Sequence, residues 1–354
     1  MARMPQRNIS VAVLYNHIGK DEYEDLRKVD AASLDFEPEY PIHVATAKEE
    51  YQAIVEALQA EDFHAQAINM RDDPSRLQSV LRRDPPDVIF NLVELFHDDP
   101  WLESAVAAIF DLYCIPYTGS PPFSLTLCRR KGLTKQVLLQ NSVATPRFRV
   151  LKTPKVPRRH GLRYPLIVKP SREDASAGVE QDSVVVDFSQ LTVRVGEMFE
   201  RFDPPILIEE FIEGKELHVS VLGNNPPQVL PIIEFDFSEL PEDHPSIITY
   251  DMKWNPLSLT YHKVHSRCPA QLAKRVEQRV KKHALEAYLV TSCRDYARID
   301  MRLSKNNKPY VLEVNPNPDL TEGVSLMESA EAAGLSFSKT LRKIVEFALE
   351  RRPT

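Results

Sequence analysis

Two carboxylates and an amide stand where a β-ribbon would bring them together: Asp300 in Arg298-Ile-Asp-Met-Arg-Leu303, and Glu313 and Asn315 in Pro309-Tyr-Val-Leu-Glu-Val-Asn315. Between them lies Ser304-Lys-Asn-Asn-Lys308. Asparagine tolerates the positive φ that a tight turn demands. With Asn306 and Asn307 as the central turn residues, Lys305 pairs with Lys308, Leu303 with Tyr310, Asp300 with Glu313 and Arg298 with Asn315. Alternation then puts Ile299, Met301, Leu303, Tyr310, Leu312 and Val314 on one face, and Arg298, Asp300, Glu313 and Asn315 on the other. Directly opposed carboxylates, with Cα atoms ~4.5 Å apart, repel each other. A hard divalent cation would turn that cost into binding, because Mg²⁺ takes carboxylate and amide oxygens together with substrate phosphates. A solvated polar face, its acids neutralised by Arg298 and Arg302, is the other reading. A three-residue turn would shift the pairing.

Two further segments carry candidate binding groups. Pro165-Leu-Ile-Val-Lys169 ends an apolar run on a lysine, a point charge suited to phosphate oxygens, and the loop Ser171–Gly178 follows. Glu209-Glu-Phe-Ile-Glu-Gly-Lys-Glu216 joins two predicted strands, and its acceptors suit an amino group and ribose hydroxyls. Each segment taken singly is also compatible with an exposed strand-end lysine and an ordinary acidic turn.

The elements that must position these groups follow from apolar periodicity. Residues 9–15 read as a buried strand, 45–58 as a helix, 63–68 as a strand, 74–81 as a helix, 87–91 as a strand and 101–113 as a helix. That alternation implies a parallel α/β domain over residues 1–122. Beyond it, 125–141 reads as one helix, 164–169, 206–209, 216–223 and 229–236 as strands, 267–287 as a long helix and 337–351 as a C-terminal amphipathic helix. These divide into two α+β subdomains, 123–204 and 205–354, the second holding the hairpin.

The bulk numbers narrow the function classes. The 354 residues carry a formal net charge of -7 with both signs interspersed, which argues against nucleic acid or a membrane surface as the main partner. No apolar run approaches the ~20 residues of a spanning helix, and residues 1–10 lack the apolar stretch of a secretory signal. The four cysteines form no CxxC or Cys/His cluster and read as free thiols of a cytoplasmic protein. With only 10 glycines and neither GxGxxG nor GxxxxGK[ST], Rossmann and P-loop readings lose support.

Taken in order, the segments resemble the D-alanine–D-alanine ligase family of the ATP-grasp superfamily. The matching stretches are Ile115–Ser120, Lys131-Gly-Leu-Thr-Lys135, Pro165–Val179, Ile208–Gly223, Thr249-Tyr-Asp-Met-Lys-Trp254 and Arg298–Pro318. The resemblance implies an ATP-grasp fold, three α/β units with ATP gripped between the last two. It also implies a carboxylate–amine ligase that forms an acyl phosphate, small-molecule substrates and a homodimer. By position it assigns Lys131 and Lys169 to ATP phosphates, Glu209, Glu210 and the Ile212 backbone to adenine, and Glu216 to ribose. Asp300, Glu313 and Asn315 would hold two Mg²⁺ (or Mn²⁺), with Glu313 bridging. Arg298, Lys253 and Ser176 would be the catalytic groups, although the segment around Lys253 is shorter than the family pattern. An ATP-grasp phosphotransferase and a nucleotide-binding scaffold without turnover remain as alternatives.

The departures fall on the amino-acid side. Val13-Leu-Tyr-Asn-His-Ile-Gly19 lacks the family's Gly-Gly pair and its substrate glutamate. Leu92–Pro100 replaces a His-Gly and Gly-Glu-Asp-Gly stretch, Asp174-Ala175-Ser176 replaces Gly-Ser-Ser, and Asp319 stands for an oxyanion-hole glycine. D-alanyl-D-alanine is therefore not the expected product. Asp174 brings a negative charge toward phosphates, which needs compensation from Arg172 or a metal. His17, Glu94, His97 and Asp98 lie at predicted strand ends and could replace the lost contacts. His262 and His265 read as surface residues, and Trp254 as packing.

Overall fold

The computed structural model describes residues 9–21, 23–241 and 244–351. Strand β1 (Ser10–Tyr15) is apolar along its length and lies in a parallel sheet between β2 (His64–Asn69) and β3 (Val88–Leu92). Such a strand must be covered on both faces. Helix Ala47–Ala60 and the C-terminal helix Phe337–Leu349 cover one face, and helices Pro74–Arg83 and Glu103–Leu112 cover the other. Helix Ala47–Ala60 starts where the sequence lets it: Thr46 accepts from Glu49 N–H, and the Glu49 side chain returns to Thr46, a reciprocal cap.

A four-stranded antiparallel sheet follows, in the order β4 (Phe148–Leu151), β7 (Ile206–Glu210), β5 (Leu166–Pro170), β6 (Val184–Val185). Helix Phe188–Arg201 packs against it through Leu191, Val195 and Met198, all fully buried. Sequence periodicity assigned no helix there. The third sheet contains β8 (Gly214–Leu222), β9 (Gln228–Val229), β10 (Ile233–Asp236), β11 (His265–Arg267), β12 (Tyr296–Ser304) and β13 (Pro309–Asn315). Its order is β11-β10-β8-β12-β13 with β9 beside β8, and helix Lys274–Val290 backs it.

Three expectations need correction. The span 125–141 is two helices, Pro122–Arg129 and Lys131–Gln140. Arg130 leaves helical geometry at φ -94, ψ 76, and Lys131 N–H donates to the Ser171 carbonyl instead of continuing the first helix. The strand over 229–236 is interrupted by Leu230-Pro231, and proline cannot donate to a ladder. The helix placed at 267–287 starts only at Lys274, because Pro269 ends strand β11 and precludes helical continuity.

The hairpin departs most instructively. Asn307 alone takes positive φ (57°), so the turn spans three residues, and Leu303 faces Pro309 rather than Tyr310. A one-residue slip should move every side chain to the wrong face. A bulge after Asp300 leaves Leu312 unpaired and restores the register, so Asp300 still faces Glu313 and Arg298 still faces Asn315. Val311 is fully buried in the place expected for Leu312, which turns toward the cleft described next.

Candidate nucleotide and metal site

Three adjacent strands build the floor. The register sets Asp300 opposite both His218 on β8 and Glu313 on β13, and Arg302 opposite Glu216. Alternation along β8 and β12 then collects Glu216, His218, Asp300 and Arg302 on one cleft wall. Lys131, Lys169, Lys253 and Ser176 reach the same cleft from a helix start, a strand end, the short helix Tyr250–Trp254 and the loop after β5. Glu209, Glu210 and Ile212 line it at the junction of β7 and β8. Every site residue expected from sequence lines this cleft except Arg298 and Asn315, which touch it through Asp300.

Those contacts are specific. Arg298 grips Asp300 with two bonds, Nε to Oδ1 at 2.7 Å and a terminal nitrogen to Oδ2 at 3.0 Å. Asn315 Nδ2 donates to Asp300 Oδ2 at 3.0 Å. Burial opposes the charge on Asp300, but Arg298 outweighs it and holds the carboxyl below its ordinary range. Glu313 is likewise pulled below its usual value, because Lys131, 2.9 Å away, overcomes the cost of burial. Lys131 is in turn raised despite burial, through Glu313 and Asp174. His218 was missed from sequence. It is 3% exposed, its Nδ1 meets Ser325 Oγ at 2.7 Å, and its Nε2 lies 3.5 Å from Asp300 Oδ1. Burial, then Arg298 and Lys253, keep it neutral far below its ordinary pKa. Its i+2 spacing from Glu216 was the available signal.

A second buried group lies beneath. Glu209 is 1% exposed and sits between Lys135 and Lys169, each at 2.7 Å. The two lysines overcome burial and hold Glu209 ionised, while burial pulls Lys135 down to about 8. Lys135 lies one turn after Lys131, on the same side of the helix. Arg302 is 2% exposed and donates to Glu216 at 2.8 Å and to the carbonyls of Ile212 at 2.8 Å and Gly214 at 3.1 Å. Burial raises Glu216 against the pull of Arg302. Of the two arginines that the metal-free reading invoked, only Arg298 serves the facing acids.

The loop over the cleft is also compensated, though not as expected. Asp174 pairs with Arg129 at 3.2 Å and with Lys131 at 3.4 Å, while Arg172 stacks over Trp101 instead. Ala175 and Ser176 take positive φ, and Trp254 Nε1 donates to the Ala175 carbonyl at 2.9 Å. Trp254 therefore bridges from the Lys253 helix to the loop. His262 is fully buried, accepting from Tyr40 N–H, rather than lying on the surface. His17, Glu94 and Asp98 line a neighbouring cleft, whereas His97 turns away to Asp72. No helix among the described residues is long and apolar enough to cross a membrane.

The oxygen donors Asp300, Glu313 and Asn315, two of them ionised and mutually facing, fit a hard divalent cation once the Asn315 amide turns its oxygen inward. Three lysines near them, Lys131, Lys169 and Lys253, suit a polyphosphate. Residues 144–346 match the family model described as D-ala D-ala ligase C-terminus. A protein of Sinorhizobium fredii, y4sG, is 31% identical over 79% of this chain and 82% of its own length. The D-alanine–D-alanine ligase of Carboxydothermus hydrogenoformans is 30% identical over 71% and 78%. The structure of the Bacillus anthracis D-alanine–D-alanine ligase complexed with ATP superposes with a TM-score of 0.71 at 23% identity, covering 97% of this chain and 98% of that one. The VanG D-Ala:D-Ser ligase of Enterococcus faecalis gives 0.68 at 20%, over 97% and 100%. Fold, cleft and sequence agree, and the chain belongs to the D-alanine–D-alanine ligase family of ATP-grasp C–N ligases.

Proposed function

We propose that the protein is an ATP- and Mg²⁺-dependent carboxylate–amine ligase whose amino-acid substrates are not two D-alanines. The observation that carries this reading is the pair of ionised, facing acids Asp300 and Glu313 in one cleft with Lys131, Lys169 and Lys253. The reading divides the chain at residues 122 and 204, with β7 just past the second boundary completing the central sheet. Adenine lies by Glu209, Glu210 and the Ile212 N–H, with ribose by Glu216. Asp300, Glu313 and Asn315 hold Mg²⁺, which when bound screens phosphate charge. A substrate carboxylate oxygen attacks the γ-phosphorus, and the bond to the β-phosphate bridging oxygen breaks to release ADP. Lys131, Lys169 and Lys253 meet the charge on the transferring group. Burial and Arg298 lower the pKa of Lys253. The amine then attacks the acyl carbon and phosphate leaves, with Arg298 near the developing oxyanion. Ser176 and its loop exclude water, which would hydrolyse the acyl phosphate.

The test is phosphate release from ATP across pairs of amino acids and small carboxylates. Glu313→Ala should lower turnover by about a thousandfold or more while circular dichroism stays unchanged. Near-normal turnover in that variant would sink the assignment. ADP formation that needs no amine would point instead to a phosphotransferase.

A further inference from the structure

A second cleft, of about 620 Å³, opens at the carboxyl ends of β1 and β3, where β13 gives way to Asn317-Pro-Asp319. Three acids reach it from three separate elements: Glu50 from the first turn of helix Ala47–Ala60, Glu94 from the segment after β3, and Asp319 from the segment after β13. Among the described residues none of the three forms an ion pair. The nearby cations are committed elsewhere, Lys20 to Asp25 and Arg129 to Glu103 and Asp174. Desolvation by the surrounding protein, then the charge of Asp319, pushes the half-buried Glu50 up to about 7, while Glu94 stands exposed at the cleft wall.

A second observation concerns a different group. Asn91 lines the same cleft, is 2% exposed, and accepts from Val93 N–H through Oδ1. Its amide nitrogen has no acceptor among the described residues. Set in the wall of the cleft, that donor is available to an oxygen of whatever enters. The wall also holds the rings of Tyr51 and Trp254, whose faces attract cations. A metal ion does not suit the acids. The one described cluster offering three ligand atoms within 4.8 Å of one another is Glu39, Glu239 and His265, where Lys263 already binds both glutamates. Glu50, Glu94 and Asp319 do not meet that spacing.

We propose that this cleft selects a diamino acid: Glu50, Glu94 and Asp319 surround its side-chain ammonium beside Tyr51 and Trp254, and Asn91 donates to its carboxylate. The proposal rests on the ligase reading of the adjoining cleft, to which Trp254 connects it. It assigns the cationic side chain a contact that a neutral isostere of equal length cannot make.

Binding and turnover separate the two readings. Calorimetric titration of the protein holding a non-hydrolysable ATP analogue and Mg²⁺ should show ornithine, in one of its two enantiomers, about tenfold or more tighter than norvaline, the size expected of a desolvated ammonium–carboxylate contact. Glu94→Gln and Asp319→Asn should each shrink that ratio toward one. Glu50→Gln serves in the same way should either of those variants fail to fold. A ratio near one in the unaltered protein, or a ratio that survives in all three variants, overturns the proposal. Selective ornithine binding without amine-dependent phosphate release leaves this site standing and overturns the ligase reading instead.

Discussion

The two clefts treat acidic side chains in opposite ways. Around the cleft of Asp300 and Glu313 the acids are answered: Glu209 by Lys135 and Lys169, Glu313 by Lys131, Asp300 by Arg298, Glu216 by Arg302. Removing ions from water costs several kcal/mol each, and such partners recover most of it. In the neighbouring cleft Glu50, Glu94 and Asp319 share one cavity without a cation of their own. The first arrangement is preorganised by the fold. The second leaves the counter-charge to whatever enters.

The largest effect should come from breaking the compensated side. Glu209→Gln keeps the shape of the side chain but leaves Lys135 and Lys169 buried against each other. Stability in urea should fall by about 3–5 kcal/mol, the usual cost of an orphaned buried charge. The companion Glu94→Gln should cost no stability at neutral pH, since it removes a repelled charge. Equal losses in the two variants would erase the contrast between the clefts.

A pH titration sharpens the same contrast with a smaller effect. Glu50, facing Asp319, Asp21 and Glu94, has a folded pKa of about 7, and Glu103, facing Arg129, Glu94 and Asp174, of about 8, each raised first by desolvation. Above the unfolded carboxylate pKa the folded state therefore binds more protons, so these groups make stability decline as pH rises through about 7. The melting temperature of Glu50→Gln should fall less than that of the unaltered protein between about pH 5 and about pH 8. Parallel profiles would show that Glu50 ionises without cost.

What was legible in the sequence follows the same division. Elements with strong local signals, such as the apolar β1 and the capped helix Ala47–Ala60, lie within about two residues of expectation. Helix Phe188–Arg201 was not legible, although Asp187 caps it and Leu191, Val195 and Met198 follow helical spacing. Val193 lies exposed within it and blurs the apolar stripe. Asp300, Glu313 and Lys169 were readable from their strands and from motif order, and Lys131 from motif order alone. His218 and Lys135 were not, because their roles depend on partners 82 and 74 residues away, at Asp300 and Glu209. The compensation of Asp174 by Arg129 likewise required a helix break at Arg130, which no local period announces.

The hairpin allows the finest test, because two departures from expectation cancel there. A two-residue turn would place both Asn306 and Asn307 at positive φ, and alanine at either would cost about 1 kcal/mol or more. In the three-residue turn only Asn307 bears that strain. Asn307→Ala should thus destabilise by about 1 kcal/mol, and Asn306→Ala by less than about 0.5 kcal/mol. Similar costs at the two positions would favour the symmetrical turn and remove the need for the bulge at Leu312. Turnover offers an independent reading of the same point. The bulge separates the turn from Asp300 and Glu313, so strain at Asn307 should lower the melting temperature without moving the KM for ATP.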